Sequence, residues 1–271
     1  MTETITSVSN PKIKKLLALQ QKSSERRESG LFVVEGRREL QHCIEAGYEA
    51  DSVFFVPEMC GCGALCQHPL PEIFGKEDSK VRFFAVSRDI YAKAAYREGT
   101  EGVIAEVRAR ETSLDSLKLK DNPLIMVLEG VEKPGNLGAV LRSADAAGAD
   151  AVLICDPLTD LYNPNLIRAS IGAVFTVPTV CCSSGEAVKW LKENKIKIYT
   201  AQLQDSSWYY ETDMGGATAI VMGTESTGLT GLWRLEADAH IRIPMLGRLD
   251  SLNVSVSAAI LLFEAVRQRN A

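Results

Sequence analysis

The sequence predicts an α/β protein whose second half is a parallel sheet with helices on both faces. Three observations carry this. From residue 121 onward, short apolar runs alternate with helical stretches. Those runs are apolar at nearly every position, which is the pattern of strands buried on both sides. The chain has 271 residues, 46% hydrophobic and 24% charged, a composition that excludes wholesale disorder and is long enough for two domains.

The first half builds a smaller α/β arrangement. PKIKKLLALQQK (11–22) reads as a helix, with Pro11 suited to its first position and Ile13, Leu16, Leu17 and Gln20 on one face. LFVVEG (31–36) is an apolar run ended by glycine, hence a strand. Residues 37–46 read as a helix, DSVFFV (51–56) and VRFFAVS (81–87) as strands, SRDIYAKAAY (87–96) as a helix and GVIAEVR (102–108) as a strand. This alternation makes a small sandwich. RETSLDSLKLKDN (110–122) turns polar before Pro123 and is the expected linker between a domain over 1–115 and one over 122–271.

In the second domain the expected strands are LIMVLEG (124–130), AVLIC (151–155), VFTVP (174–178), IKIYTA (196–201), ATAIVMG (217–223) and HIRIPM (240–245). Helices are expected at 137–148, 164–171, 185–194, 228–236 and 253–269. The last of these is apolar nearly all round from Val254 to Val266, so it is either deep in the domain or covered by another subunit.

No window offers the roughly 18 apolar residues of a membrane span, and the first residues lack the apolar core of a signal peptide. The seven cysteines then read as reduced thiols, and the expected compartment is the cytoplasm. The net charge of −5 argues against a nucleic-acid partner only until its distribution is considered. Residues 1–42 hold eight basic and five acidic side chains. A local basic field suffices for phosphate contacts, so Lys12, Lys14, Lys15, Arg26 and Arg27 are candidate RNA contacts. A solvated helix face explains the same run.

Three segments of the second domain carry chemistry. EGVEKPGNLGAVLRSADAAGAD (129–150) is a strand, a glycine-containing loop and a helix; Leu137, Val140, Leu141 and Ala144 form a stripe, and Arg142 lies about 150° from its centre. The loop after a parallel strand is where open α/β sheets place their sites. It matches neither the dinucleotide nor the P-loop fingerprint. AIVMGTESTGLTG (219–231) ends a strand in Gly223, with Glu225 and Gly228 following; a glycine there lets a ligand approach the backbone, though a tight turn needs it too. In HIRIPMLGRLDSLNVSVS (240–257), Ser251 or Asn253 suits a helix cap.

Taken together and in order, the segments resemble the motifs of the SpoU (TrmH-like) RNA 2′-O-ribose methyltransferases of the SPOUT class. The matching residues are Asn136, Gly138 and Arg142; Gly223, Glu225, Gly228 and Leu229; and Ile243, Pro244, Met245 and Gly247 with Ser251 to Ser255. Residues 7–14 and 32–36 resemble the family's small L30e-like RNA-binding domain. Thr224 departs from the Asn or Ala more usual there. The resemblance implies a C-terminal parallel sheet with a deep trefoil knot, an exception to unknotted topology. It implies S-adenosylmethionine as cofactor, held near Thr200, Ala201, Gln202, Gly223, Ile243, Met245 and Leu252, and a homodimer formed through the last helix. It also implies methyl transfer to a ribose 2′-hydroxyl, with Arg142 nearest the hydroxyl and Asn136, Glu225, Ser251 and Asn253 as the polar frame. The expected substrate is 23S-type rRNA, with tRNA second; a non-catalytic dimeric RNA-binding protein is the alternative. No metal is required, because the leaving group is a neutral thioether.

Elsewhere, Cys60, Cys62, Cys66 and His68 are four soft ligands that could hold zinc, but they lack the spacing of a zinc finger, and a glycine-rich loop with incidental thiols explains them as well. Cys155, Cys181 and Cys182 read as core thiols, and His42 and His240 have no ligand-spaced partners. Trp208, Tyr209 and Tyr210 follow a possible cofactor loop and suit either packing beneath it or stacking on a base.

Overall fold

A computed structural model describes residues 3–61, 70–74, 81–96 and 101–271. The chain divides into two compact units: residues 1–110 with 162–172, and residues 111–161 with 173–271. Among the described residues no helix is long and apolar enough to cross a membrane.

The first unit contains β1 (Glu3–Ile5), α1 (Pro11–Gln21), α2 (Ser23–Ser29), β2 (Leu31–Glu35), α3 (Arg37–Glu45), β3 (Ala50–Phe55), α4 (Pro71–Phe74), β4 (Arg82–Val86), α5 (Arg88–Ala94) and β5 (Val103–Arg108). They build a mixed five-stranded sheet of order β1-β4-β3-β5-β2, with β5 antiparallel to both its neighbours. Asn10 caps α1 by accepting from the Lys12 N–H, and Pro11 occupies the first turn. The buried face of α1 is Ile13, Leu16 and Leu19. Leu17 and Gln20, expected on that face, are only half-buried.

The basic run is more structural than its composition suggests. Arg26 is 5% exposed and donates from Nη1 to the Leu19 carbonyl at 2.5 Å and the Gln20 carbonyl at 3.3 Å. It thus satisfies free carbonyls at the end of α1, and its expected role as an RNA contact is withdrawn: a buried guanidinium cannot meet a phosphate. Lys12 pairs with Glu3 at 2.7 Å and Lys15 with the buried Glu106 at 2.8 Å. Lys14 and Arg27 are exposed.

The second unit contains β6 (Leu124–Glu129), α6 (Pro134–Ala146) and β7 (Ala151–Cys155). The helix α7 (Pro164–Ser170) that follows belongs to the first unit. The second unit then resumes with a helical turn α8 (Ala173–Thr176), β8 (Thr179–Cys182), α9 (Ser184–Glu193), β9 (Lys197–Ala201), β10 (Ser207–Trp208), β11 (Thr218–Met222), α10 (Gly231–Glu236), β12 (Ala239–Arg242) and α11 (Val254–Arg269). The seven strands run parallel in the order β10-β12-β9-β11-β6-β7-β8. One face packs Ile125, Val127, Leu153, Ala219 and Val221 against Leu191 of α9 and the fully buried Trp233 of α10. On α6 the predicted stripe of Leu137, Val140, Leu141 and Ala144 is fully buried while Arg142 is exposed. The helix α11 packs on α6, β6 and β11.

The structure departs from the sequence reading at further places. Residues 174–178 form no strand: Ala173–Thr176 is a helical turn that buries Val174 and Phe175, and the strand starts at Thr179, after Pro178. The polar stretch 110–122 is not a free linker, because Leu114, Leu117 and Leu119 pack against the second unit's core. Cys155 is a core thiol, whereas Cys181 is exposed and Cys182 half-buried on the edge strand β8.

Arg26→Ala is expected to lower unfolding stability by about 1.5–3 kcal/mol, the range for hydrogen bonds to a charged group. Arg27→Ala should stay within about 0.5 kcal/mol, as an exposed substitution does. Urea denaturation of both variants checks this; equal effects would contradict the capping role of Arg26.

Candidate active site

Because all the strands of the second unit are parallel, the loops that leave β6, β9, β11 and β12 lie along one edge of the sheet. Those four strands are near neighbours in the order β12-β9-β11-β6. The loops therefore meet although their residues are up to 117 positions apart.

Their meeting point is the Glu225 carboxylate. Oε1 accepts from Asn136 Nδ2 at 3.1 Å and from Asn253 Nδ2 at 3.1 Å, and Asn253 Nδ2 also lies 3.2 Å from Asn136 Oδ1. Oε2 faces Lys133 Nζ at 3.3 Å. Asn253 also caps α11, its Oδ1 accepting from the Ser255 N–H at 3.0 Å. Lys133 first, with help from the Val254 backbone and Asn136, holds the Glu225 carboxyl below its ordinary value. A depressed carboxylate keeps its ties above the ordinary glutamate range and loses them only as pH falls through the lowered value. Glu225 is thus an ionised acceptor at neutral pH.

The loop that carries Glu225 closes on itself. Thr224 and Gly228 exchange backbone hydrogen bonds at 3.3 and 3.1 Å, and Thr224 Oγ1 accepts from the Thr227 N–H at 3.0 Å. Gly228 has φ +67°, a region that favours glycine. At Gly223 a Cβ would stand 2.3 Å from the Gly228 carbonyl carbon and oxygen. Gly223 is therefore required by the protein's own backbone, a reason that differs from ligand approach. Behind the loop, Glu129 is 5% exposed and accepts from the Thr230 N–H at 2.8 Å, Thr230 Oγ1 at 2.8 Å and Ser184 Oγ at 3.0 Å.

A cleft of ≈ 470 Å³ opens beside this loop, within the range of small-molecule sites. Ala201, Gln202, Gly223, Ile243, Met245 and Leu252, which the resemblance implies as cofactor residues, line it. Thr200 does not: it is fully buried and its hydroxyl lies 2.6 Å from His240 Nδ1. Of the predicted catalytic set, Glu225 and Ser251 reach the cleft. Ser251 stands outside the three-residue tie, with only a 3.4 Å approach to Asp250. Arg142 has no hydrogen-bond or ion-pair partner among the described residues. Lys133 and Glu129 escaped the sequence reading, since a charge flanking a loop gives no periodic signal. Cys62, Cys66 and His68 lie outside the described residues, and among the described residues no group of three or more His, Cys, Asp and Glu is placed to hold a metal.

The lining of the cleft is part apolar and part polar. Its walls combine apolar Leu229, Ile243 and Leu252 with exposed backbone, and two buried polar atoms, Gln202 Oε1 and Arg242 Nε, have no hydrogen-bond partner among the described residues. The α/β fold with its parallel sheet matches solved SpoU methyltransferase structures. The SpoU rRNA methylase family model matches residues 123–263, and the MRM3-like substrate binding domain model matches residues 10–105. The chain belongs to the SpoU rRNA methylase family. It is 36% identical over 234 residues to the 23S rRNA (guanosine-2′-O-)-methyltransferase RlmB of Salmonella typhi, covering 84% of this chain and 96% of that protein. A solved RNA 2′-O ribose methyltransferase superposes with TM-score 0.83 at 38% identity, covering 99% of this chain and 100% of the other. The AdoMet-bound rRNA methyltransferase of Sinorhizobium meliloti superposes with TM-score 0.87 at 26% identity, covering 98% of each.

Gly223→Ala is expected to destabilise the protein by about 1–3 kcal/mol, the usual cost of forcing an extra carbon into packed structure. Gly135→Ala, where nothing lies within 4 Å of the added carbon, should have little effect. Thermal unfolding of the two variants checks this, and equal melting shifts would contradict the close approach at Gly223.

Proposed function

We propose that this chain transfers a methyl group from S-adenosylmethionine to the ribose 2′-hydroxyl of a guanosine in 23S-type rRNA. The observation that carries the reading is the tie of Asn136 and Asn253 to Glu225 at the rim of a ligand-sized cleft. The names of the relatives supply the substrate class. When bound, the cofactor supplies an electrophilic sulfonium methyl. Ala201, Gln202, Gly223, Ile243, Met245 and Leu252 would hold it in the cleft, and closeness to the ribose would supply much of the rate.

The chain's own residues act on the nucleotide. A ribose hydroxyl is a weak nucleophile until its proton is taken or its oxygen is polarised. Guanidinium, with a pKa above about 12, is a poor base. Arg142 therefore orients the adjoining phosphate and stabilises the charge that develops on the 2′-oxygen. Glu225, with Asn136 and Asn253, fixes the loops around it, and Ser251 offers a hydroxyl on the cleft wall. Arg142 acts in the site of a second subunit, across a homodimer formed through α11. Val256, Ile260 and Phe263 fall at i, i+4 and i+7 of that helix, with Val256 48% and Phe263 47% exposed, which supports an apolar interface there. The C-terminal stretch is threaded as a trefoil knot. The first domain binds RNA, with Lys14 and Arg27 exposed and Lys12 and Lys15 beside them. The enzyme works in the cytoplasm, with its rRNA.

Transfer of labelled methyl from S-adenosylmethionine to 23S rRNA transcripts, mapped by primer extension, tests this. One methylated guanosine is expected. Cofactor and RNA binding without transfer would favour the non-catalytic alternative. Arg142→Ala should lose roughly 10²-fold or more in rate, the scale of one pre-organised charge-stabilising group, with cofactor affinity retained by calorimetry. A heterodimer of Arg142→Ala with Gly223→Val, which displaces the loop walling the cleft, should recover about half the wild-type rate if the site is shared, losses at separate sites being independent. A folded heterodimer as inactive as its parents would place Arg142 in its own chain's site.

A further inference from the structure

A second cleft adjoins the one assigned to the cofactor. It is a shallow hollow of ≈ 450 Å³, largely open to solvent, and shares Leu203, Arg242, Ile243, Met245 and Asp250 with the first. Trp208, Arg248 and Leu249 belong to it alone. Trp208 is fixed in place by the fold. It ends β10, where parallel pairing with β12 sets it opposite Arg242. The Arg242 guanidinium lies 4.3 Å from the centre of the indole ring, and Nη1 reaches the Leu203 carbonyl at 3.5 Å. Arg242 Nε is buried with no hydrogen-bond partner among the described residues, a state that costs free energy until an acceptor arrives. Next to this braced ring stand a second guanidinium, Arg248, and a carboxylate, Asp250, both exposed.

This set has a specific chemical counterpart. The Arg242 guanidinium covers one face of the indole and the Tyr210 ring stacks against it with centres 6.4 Å apart, so a base of any kind would extend this aromatic stack. Guanidinium donors match a pair of acceptors, and a carboxylate matches a pair of donors. Guanine offers both: O6 and N7, which arginine contacts in bidentate fashion, and N1–H beside the N2 amino group, which a carboxylate accepts. Adenine turns an amino donor toward the guanidinium in place of O6. Location fits as well. The base hangs on the ribose carbon adjacent to the one that bears the 2′-oxygen, so it must lie close to the cofactor cleft while the oxygen receives the methyl.

We propose that Trp208, Arg248 and Asp250 form the pocket for the base of the target nucleotide and that this pocket selects guanine. The inference rests on the 2′-O-methylation reading above. Its test uses the full-length enzyme and a 23S rRNA transcript carrying guanosine, inosine, 7-deazaguanosine or adenosine at the mapped position. Inosine lacks the N2 amino group and 7-deazaguanosine lacks N7. The wild type should slow by roughly 10- to 100-fold on inosine or adenosine, the scale of one bidentate base contact. Asp250→Asn should be slow on guanosine and should methylate guanosine and inosine at similar rates. Arg248→Ala should lose discrimination against 7-deazaguanosine, and Trp208→Ala should raise KM for every transcript. Arg248 and Trp208 lie outside the cofactor cleft, so calorimetry should find cofactor affinity unchanged in those two variants; should Asp250→Asn fail to fold, Arg248→Ala decides. Equal wild-type rates on all four transcripts, or Asp250→Asn and Arg248→Ala variants that keep the wild-type discrimination among them, would overturn the pocket and leave the methyltransferase reading standing. No transfer to the guanosine transcript by the wild type would overturn that reading itself.

Discussion

The Glu225 carboxylate is the point on which the site depends. It accepts amides from Asn136, at the start of α6, and from Asn253, at the start of α11. Three loops far apart in sequence thereby share one acceptor. A residue at 225 with no acceptor would release two amide donors and Lys133 together. Exposed ties of this kind contribute little stability one by one, so the value of this one lies in geometry. It sets the helix that carries Arg142 against the loop that walls the cleft.

That loop owes its own shape to close backbone approach and to a few side-chain bonds. Its two ends approach so closely that no side chain fits at Gly223. Beyond Gly228, Glu129 seizes Thr230 through both its N–H and its hydroxyl, and shares Ser184 with the Trp233 indole N–H, which donates at 3.1 Å. Both oxygens of the buried carboxylate are met by donors from α9 and the start of α10, which is the condition for burying such a group. A flexible-looking run of small polar residues is in this way made rigid.

Much of this was legible in the chain. The strands of the second unit stand out because burial on both faces makes them apolar throughout; Asn136 and Glu225 stand out only through the resemblance to the family's motifs, and Asn253 also as a possible helix cap. Other features were not legible, for physical reasons. Residues 174–178 have strand composition, yet tertiary packing winds Ala173–Thr176 into a turn. Thr200 is a polar residue at a strand end, like its neighbours, but the partner that buries it, His240, lies on another strand. Arg26 reads as one cation among several until α2 folds it onto the carbonyls of α1. The approach of Arg242 to Trp208 depends on strand register, which local sequence does not encode.

A double-mutant cycle tests the central claim, that Asn136 and Glu225 act as one unit to hold the site. The variants are Asn136→Ala, Glu225→Ala and the pair, each measured by kcat/KM for methyl transfer to 23S rRNA at saturating cofactor. Residues that work through a single shared interaction show strongly non-additive losses. The pair should therefore be only slightly slower than the worse single variant. Losses that multiply would contradict the account, because each residue would then contribute separately.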